Sequence, residues 1–296
     1  MRGLLLAFLI IAPPVLLAQN LDQLLDAMPV ETVDYTLATF KSSRVINLHS
    51  PERVAPGALE FRISHRFGPL NGGAYQLWGL DQSTIRIALE YGLTDKLMVG
   101  IGRSTYQKSY DGFVKYALLR QSTGARVMPV SVVWVGSTTL NSLHWEYPDR
   151  ANYFSSRLAF VNQIVIARKF GENFSAELVP TWVHYNLVNS QTDVNDTPAV
   201  GFGARYKVTR RMSINGEYTY RVKFVNNADN LNNYYDSFSL GVDIETGGHV
   251  FQFQVTNSLP MIDKGFITET TDRWQNGGIH LGFNITREFS LSKKNR

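Results

Sequence analysis

Cysteine is absent from the 296 residues, which excludes a disulfide framework, a thiolate metal centre and a lipid-modified cysteine. Past the N-terminus, no run approaches the roughly 20 consecutive apolar residues that a membrane-spanning helix needs. The histidines (His49, His65, His144, His184, His249 and His280) are scattered, with no HxxxH or HExxH spacing, so no metal site is expected. There is no GxSxG elbow, and Val99-Gly100-Ile101-Gly102 and Gly201-Phe202-Gly203-Ala204 lack the strand–turn–helix setting of a phosphate-cradling loop. No cofactor is expected either. Lys+Arg number 29 against 25 Asp+Glu, a net charge of +4 spread without a basic tract, which argues against a nucleic-acid partner.

What is present begins with an export signal. Residues 1–18 carry Arg2, an apolar core over 4–11, a Pro13-Pro14 break and Leu16-Leu17-Ala18 before Gln19. This is the pattern of a cleaved secretory signal peptide, too short for a spanning anchor. Residues 19–56 then form an N-terminal periplasmic segment. Leu21, Leu24, Leu25 and Met28 suggest a short amphipathic helix. Residues 36–48 have strand character but carry Lys41 and Arg44 in the middle, which suits a periplasmic strand or a segment tucked into a barrel mouth.

From residue 57 to 296 the period is two. Ile85, Ile87, Leu89 and Tyr91 alternate with Thr84, Arg86, Ala88 and Glu90, and Leu97, Val99 and Ile101 alternate with Met98, Gly100 and Gly102. Such a period sends successive side chains to opposite faces of a strand. One face is continuously apolar and aromatic, while the other mixes small residues with charges, as in a strand between lipid and a lumen. Twelve strands are expected, near 57–67, 83–91, 96–104, 112–120, 126–138, 153–169, 174–188, 199–208, 212–223, 236–245, 249–256 and 278–289. Tight connections at 92–95, 121–125, 171–173, 209–211 and 246–248 alternate with longer ones at 68–82, 140–151, 189–197, 226–235 and 257–276. The short member 105–111 falls in the second set. The expected fold is all-β: an antiparallel transmembrane β-barrel of about twelve strands, with short periplasmic turns and longer extracellular loops. Tyr91, Phe170 and Phe174 on the turn side, and Trp78, Tyr106, Tyr153, Trp182 and Tyr220 on the loop side, are expected to form two aromatic girdles. A soluble exported barrel or sandwich is the architectural alternative.

Several strings carry a resemblance. They are Phe40-Lys41-Ser42-Ser43-Arg44-Val45-Ile46-Asn47, His65-Arg66-Phe67-Gly68, Glu90-Tyr91-Gly92-Leu93-Thr94-Asp95, Lys115-Tyr116-Ala117-Leu118-Leu119-Arg120-Gln121 and Gly282-Phe283-Asn284-Ile285-Thr286-Arg287. In that order they resemble a domain-of-unknown-function family of β-barrel proteins from Bacteroidota. The resemblance spans nearly all of the mature chain and implies the outer membrane of a Gram-negative cell. It transfers no activity and no binding residue.

With apolar positions facing lipid, the expected lumen and solute-binding residues are Arg62, Arg66, Arg86, Glu90, Lys115, Arg157, Glu177, Arg205, Glu217 and Asp243. Basic residues dominate the early strands and acids the later ones. Such walls can select small solutes, or they can pair and fill the interior, since twelve strands lie between filled small barrels and open large ones. No loop is long enough to be an obvious plug, so residues 19–56 are the better candidate. The leading expectation is a non-enzymatic outer-membrane pore or binding barrel for small polar or anionic solutes, in contact with membrane lipid. A closed scaffold for a periplasmic or surface protein partner is the second reading. The third is a lipid-facing hydrolase built on His65 as base and Ser83 as nucleophile, both on the outward series near the loop side.

The alternation of connection lengths makes a topological prediction. An epitope tag in 226–235 is expected to be reached by antibody on intact cells, and a tag in 92–95 only after permeabilisation. The reverse pattern would invert the barrel.

Overall fold

The computed structural model describes residues 32–188, 193–222 and 234–291. The expected signal peptide, the amphipathic stretch at 21–28, and all of the 226–235 loop but its last two residues lie outside the described residues. Alternating side chains build β1 (Val33–Tyr35), β2 (Ala58–Pro69), β3 (Ser83–Gly92), β4 (Leu97–Ser104), β5 (Tyr110–Leu119), β6 (Ser122–Gly124) and β7 (Ser131–Leu140). They continue through β8 (Leu158–Lys169), β9 (Phe174–Tyr185), β10 (Asp196–Lys207), β11 (Met212–Arg221), β12 (Ser237–Thr246), β13 (His249–Thr256) and β14 (His280–Ser290). All but β1 and β6 join into one closed barrel of twelve antiparallel strands in chain order, sealed by β14 against β2. Closure leaves no unpaired sheet edge to face lipid, which has no water to satisfy one.

Strand length and turn chemistry follow the local sequence. The barrel strands run from 8 residues in β4 to 12 in β8, close to the ~9–11 that a tilted strand needs to cross a bilayer. Between β12 and β13 the turn has two residues, with Thr246 facing His249 in register. Gly247 and Gly248 both take positive φ, +52° and +86°, the conformation that favours glycine in a two-residue hairpin turn of the type I′ class.

Two expected strands start late. The one expected from 126 begins at Ser131, because β6 first pairs with β1 beneath the barrel. The 121–125 connection is therefore longer than a tight turn. The strand expected from 153 begins at Leu158, because Phe154–Arg157 coil into a 3-10 turn.

The outward face is apolar. Ile87, Ile101, Phe202, Ile214, Leu240 and Phe253 are exposed along the strands, while Phe170, Phe174 and Trp182 are exposed near strand ends. Tyr106, expected in the loop-side girdle, is half-buried instead. The inward face departs from expectation on one wall. On β7, β8 and β9 the bore is lined by Val133, Val135, Val161, Val165, Val179 and Val183, all fully buried. These valines pack on protein rather than water, with Gln163, Glu177 and Thr181 among them on the same face.

What it packs on comes from both ends of the barrel. Residues 36–56 rise from the turn side, fold back on themselves and return to β2. Within them, Val45 N donates to Leu48 O (2.8 Å) and Ser50 N to Ser43 O (3.0 Å), with Arg44 bridging His49. This is a β-hairpin with Ile46 and Asn47 at its tip. Its feet are tied at the turn rim by Thr36 N to Gln121 O and Gly57 N to Gly92 O, both 2.8 Å. The chain passes so close there that a Cβ on Gly92 would lie 2.2 Å from Ala55 O. From the loop side, the β13–β14 connection dips inward and forms α1 (Asp263–Thr268), all of whose residues are buried. The expectation that no loop would enter the barrel is thus corrected. Phe40, Val45, Leu48, Phe266 and Ile267 form one core with the valine wall.

Leu48 is fully buried and covers Gly201, where a Cβ would fall 2.8 Å from Leu48 Cδ2. Leu48→Ala is expected to weaken seating of the hairpin by about 2–5 kcal/mol and to leave the barrel closed. Faster amide exchange over 43–50 with an unchanged heat-resistant gel mobility would show this. Loss of the folded band would mean that barrel and hairpin form one unit.

Candidate functional site: the filled lumen

Strand parity places nine of the ten expected lumen residues inside the bore. Arg62, Arg66, Arg86, Glu90, Lys115, Glu177, Arg205, Glu217 and Asp243 are all buried, none above 5% exposure. Arg157 is the exception. It ends the 3-10 turn above β8, donates to the carbonyls of Asn141 and Leu143, and stacks 3.8 Å over the Trp145 ring. Its position shifts because the strand it was assigned to begins one residue after it.

The buried wall charges meet the main chain of the hairpin. A hairpin this short satisfies few of its own amides, and each buried donor or acceptor left unpaired costs ~1–3 kcal/mol. The wall supplies the missing partners. Glu217 accepts from Ile46 N (3.1 Å), Asn47 N (2.9 Å) and Leu48 N (3.0 Å), and from Asn47 Nδ2 (2.7 Å). Three successive amides around one carboxylate form a concave anion cradle in which the anion belongs to the wall. Lys115 Nζ donates to three carbonyls, Ser43 O at 2.7 Å and Ser50 O and Glu52 O at 3.1 Å. Arg205 donates to Ala38 O and Thr39 O, Gln252 to Val45 O, and Asn284 to Ile46 O.

The basic wall is neutralised locally. Arg62 pairs with Glu60 (2.8 Å) and Glu90 (3.2 Å), and also reaches the Ser42 and Ser43 hydroxyls. Arg86 binds Asp111 with two of its nitrogens, Nε at 2.9 Å, in the forked geometry guanidinium favours. Arg66 donates to Asn47 Oδ1 at 2.9 Å. Glu60 reaches Arg62 from two residues earlier on the same face of β2, and Asp111 reaches Arg86 across β4 from β5. Among the described residues, the strand wall of the bore holds six basic groups (Arg62, Arg66, Arg86, Lys115, Arg205, Arg221) and six acidic ones (Glu60, Glu90, Asp111, Glu177, Glu217, Asp243). The formal charges of the wall balance. Glu177 and Gln163 stand apart, each with both side-chain polar atoms buried and unpartnered.

Hairpin and α1 meet at Asp263. Arg44 Nη1 donates to Asp263 Oδ1 at 2.8 Å and to Asn47 O at 2.7 Å, and His49 Nε2 lies 3.2 Å from Asp263 Oδ2. Burial, then Arg44, pushes His49 down to about 3, so the ring is neutral and donates Nε2–H. Burial works against ionised Asp263, yet Arg44 and His49 hold its carboxyl well below the usual range. Sequence reasoning marked Arg44 as a charge in a strand-like stretch suited to the barrel mouth, but it did not place Arg44, His49 or Asp263 in a site.

The expected His65–Ser83 pair does not assemble. In register His65 faces Ile85, and Ser83 faces Phe67. The His65 ring stacks on Phe283 at 5.0 Å and edges Phe67 at 4.4 Å. Among the described residues no hydrogen bond joins it to Ser83, because the aromatic neighbours hold the imidazole on the lipid face. The described residues also contain no cluster of ligands able to hold a metal.

An even-numbered antiparallel barrel with an apolar exterior, turns of two to four residues on most of one rim and longer connections on the other is a membrane barrel of the outer-membrane type. Residues 40–289 match the membrane bound beta barrel domain family (DUF5777), a domain of unknown function, and the chain belongs to that family. No curated protein matches the sequence. Similar solved structures include the NanC porin, 10% identical with a TM-score of 0.48 over 79% of this chain and 100% of that one. The KdgM porin is 9% identical with a TM-score of 0.45, over 79% and 99% of the two chains. An active-site mutant of the outer membrane phospholipase A of Escherichia coli is 13% identical with a TM-score of 0.42, over 84% and 97%. At these levels the likeness transfers neither ligand nor activity.

Glu217→Gln keeps the shape of the hairpin anchor but removes its charge and one acceptor oxygen. Amides 46–48 are expected to exchange at least about tenfold faster, equivalent to ~1.4 kcal/mol, while strand amides are unchanged. Equal exchange in both proteins would remove Glu217 as the anchor.

Proposed function

We propose that this protein is a gated outer-membrane barrel for small polar solutes, closed at rest by its own N-terminal hairpin. One observation carries the reading: the wall charges bind the hairpin's main chain. A permanently solid interior gains nothing from buried charges, since well-packed apolar residues of similar volume are often as stabilising or more so. The charged strips of this wall suit two states. They satisfy a docked backbone, and they remain soluble against water once it leaves. The valine wall would then form the apolar side of the passage. Balanced charge in the bore favours neutral and zwitterionic solutes over a simple anion path.

A second reading has its own support. The hairpin is tied to the turn rim at both feet, by β1 against β6 and by the Gly57–Gly92 contact. A closed scaffold that presents its N-terminal strand to a periplasmic partner would use that arrangement with no passage at all.

Planar-bilayer recordings separate the two. The wild-type chain is expected to conduct rarely. Glu217→Gln/Lys115→Met, which removes the tip anchor and one foot anchor, is expected to raise the open fraction at least about tenfold, with weak ion selectivity. A variant whose hairpin exchanges fast yet carries no current would overturn the gate and favour the scaffold.

A further inference from the structure

Two elements that enter the bore from opposite sides of the membrane are joined at its centre. The hairpin comes from the turn side and α1 from the loop side, and Asp263 bonds both Arg44 and His49. The three side chains are each at most 5% exposed. Beyond Asp263, α1 is fastened at the outer mouth. Lys264 Nζ reaches Glu269 (2.6 Å) and Gln107 (2.8 Å), and Tyr185 OH reaches Thr268 (2.5 Å) and Glu269 (3.1 Å). Gln107 Nε2 also donates to Glu269 at 3.1 Å. These partners belong to the β4–β5 connection and the top of β9, so the helix is anchored on two sides of the mouth.

The junction makes separate movement costly. If α1 left alone, Arg44 would remain buried as an unpaired cation. If the hairpin left alone, Asp263 would lose both of its donors, and water entering the emptied bore would offset only part of that loss. Removing one partner of a buried ion pair costs ~3–5 kcal/mol, far more than a rim contact. The states in which both are docked, or both are released, avoid that cost. A shared element with two discrete arrangements is the physical requirement for coupling distant sites.

We propose that the protein relays the state of its outer loop to its periplasmic face. Displacement of the 257–276 connection on the outer side releases the 43–50 hairpin through Asp263, and so loosens the segment that leads from β1 at the turn rim. By linkage the relay runs in both directions, so a periplasmic partner that draws on β1 loosens the outer loop equally. The inference deepens the gate and rests on the closed bore as the resting state. It needs no passage of solute.

The test uses the full chain in detergent, and the absence of native cysteine makes an engineered crosslink unambiguous. Gln107→Cys/Glu269→Cys places a reducible lock at the outer mouth without touching the hairpin. Oxidation is expected to slow deuterium uptake at amides 43–50 at least about fivefold, within the usual span of coupling factors, and reductant is expected to reverse it. Adding Asp263→Asn should speed uptake and abolish the response to the lock. Lys264→Met, which loosens α1 at the mouth alone, should speed hairpin uptake even if the lock does not form. Hairpin uptake that ignores the lock, or ignores Lys264→Met, while uptake in 257–276 changes, would overturn the relay. Coupled uptake without current would overturn the gate and leave the relay standing.

Discussion

Twelve strands enclose more volume than their own side chains can occupy, and how that volume is filled governs the rest of this molecule. Barrels of about eight strands fill with side chains and those of sixteen or more hold water. Here main chain fills the gap. A hairpin of main chain is a demanding filler, because its exposed amides and carbonyls must find partners where no water is at hand. The bore meets that demand with two kinds of wall. Valines on β7 to β9 take Phe40, Val45 and Leu48, while Glu217, Lys115 and Arg205 take backbone N–H and C=O groups. The hairpin is amphipathic because its surroundings are.

The same demand explains the electrostatics. Ionised groups in a closed barrel cost desolvation energy unless each is paired and hydrogen-bonded. Arg62 and Arg86 meet that condition through Glu60, Glu90 and Asp111, while Arg66 is held by the neutral oxygen of Asn47. Cross-barrel pairing is not needed, which leaves Glu217 free to hold the hairpin tip. The scheme is incomplete at Glu177, a buried carboxyl group with neither oxygen bonded, and at Gln163 and Asn215.

In this chain the buried polar contacts gather on what enters the bore more than on the lipid face. The lipid face is generic: an apolar belt with aromatic ends. The chemistry is concentrated where residues 36–56 and 257–273 meet the wall and each other. A two-sided filling distinguishes the molecule from a barrel closed by its own wall side chains, since each side can be addressed from a different compartment.

Strand number, direction and facing were legible from the sequence because they are local. A period of two sets the face of each residue, and lipid on one side makes the period visible in Ile85, Ile87 and Leu89 without knowledge of any partner. Two of the shifted boundaries, at 126 and 153, came from short local structures that the period does not report, β6 and the 3-10 turn that carries Arg157. The lumen was legible only as a set of charges. Asp111 was not recognised as the partner of Arg86 because their meeting depends on the register of β3, β4 and β5, whereas Glu60, two residues from Arg62 on one face, was open to strand parity. The partners of Glu217 and Lys115 are backbone groups, which every residue carries and no residue type marks. The meeting of Arg44 and His49 with Asp263, more than two hundred residues apart, exists only once the barrel has closed around both. The sequence by itself determined a membrane barrel with a polar interior, because hydrophobic periodicity is written along the chain. The tertiary structure alone decided that the interior is occupied, because occupancy depends on volume and on contacts between distant segments.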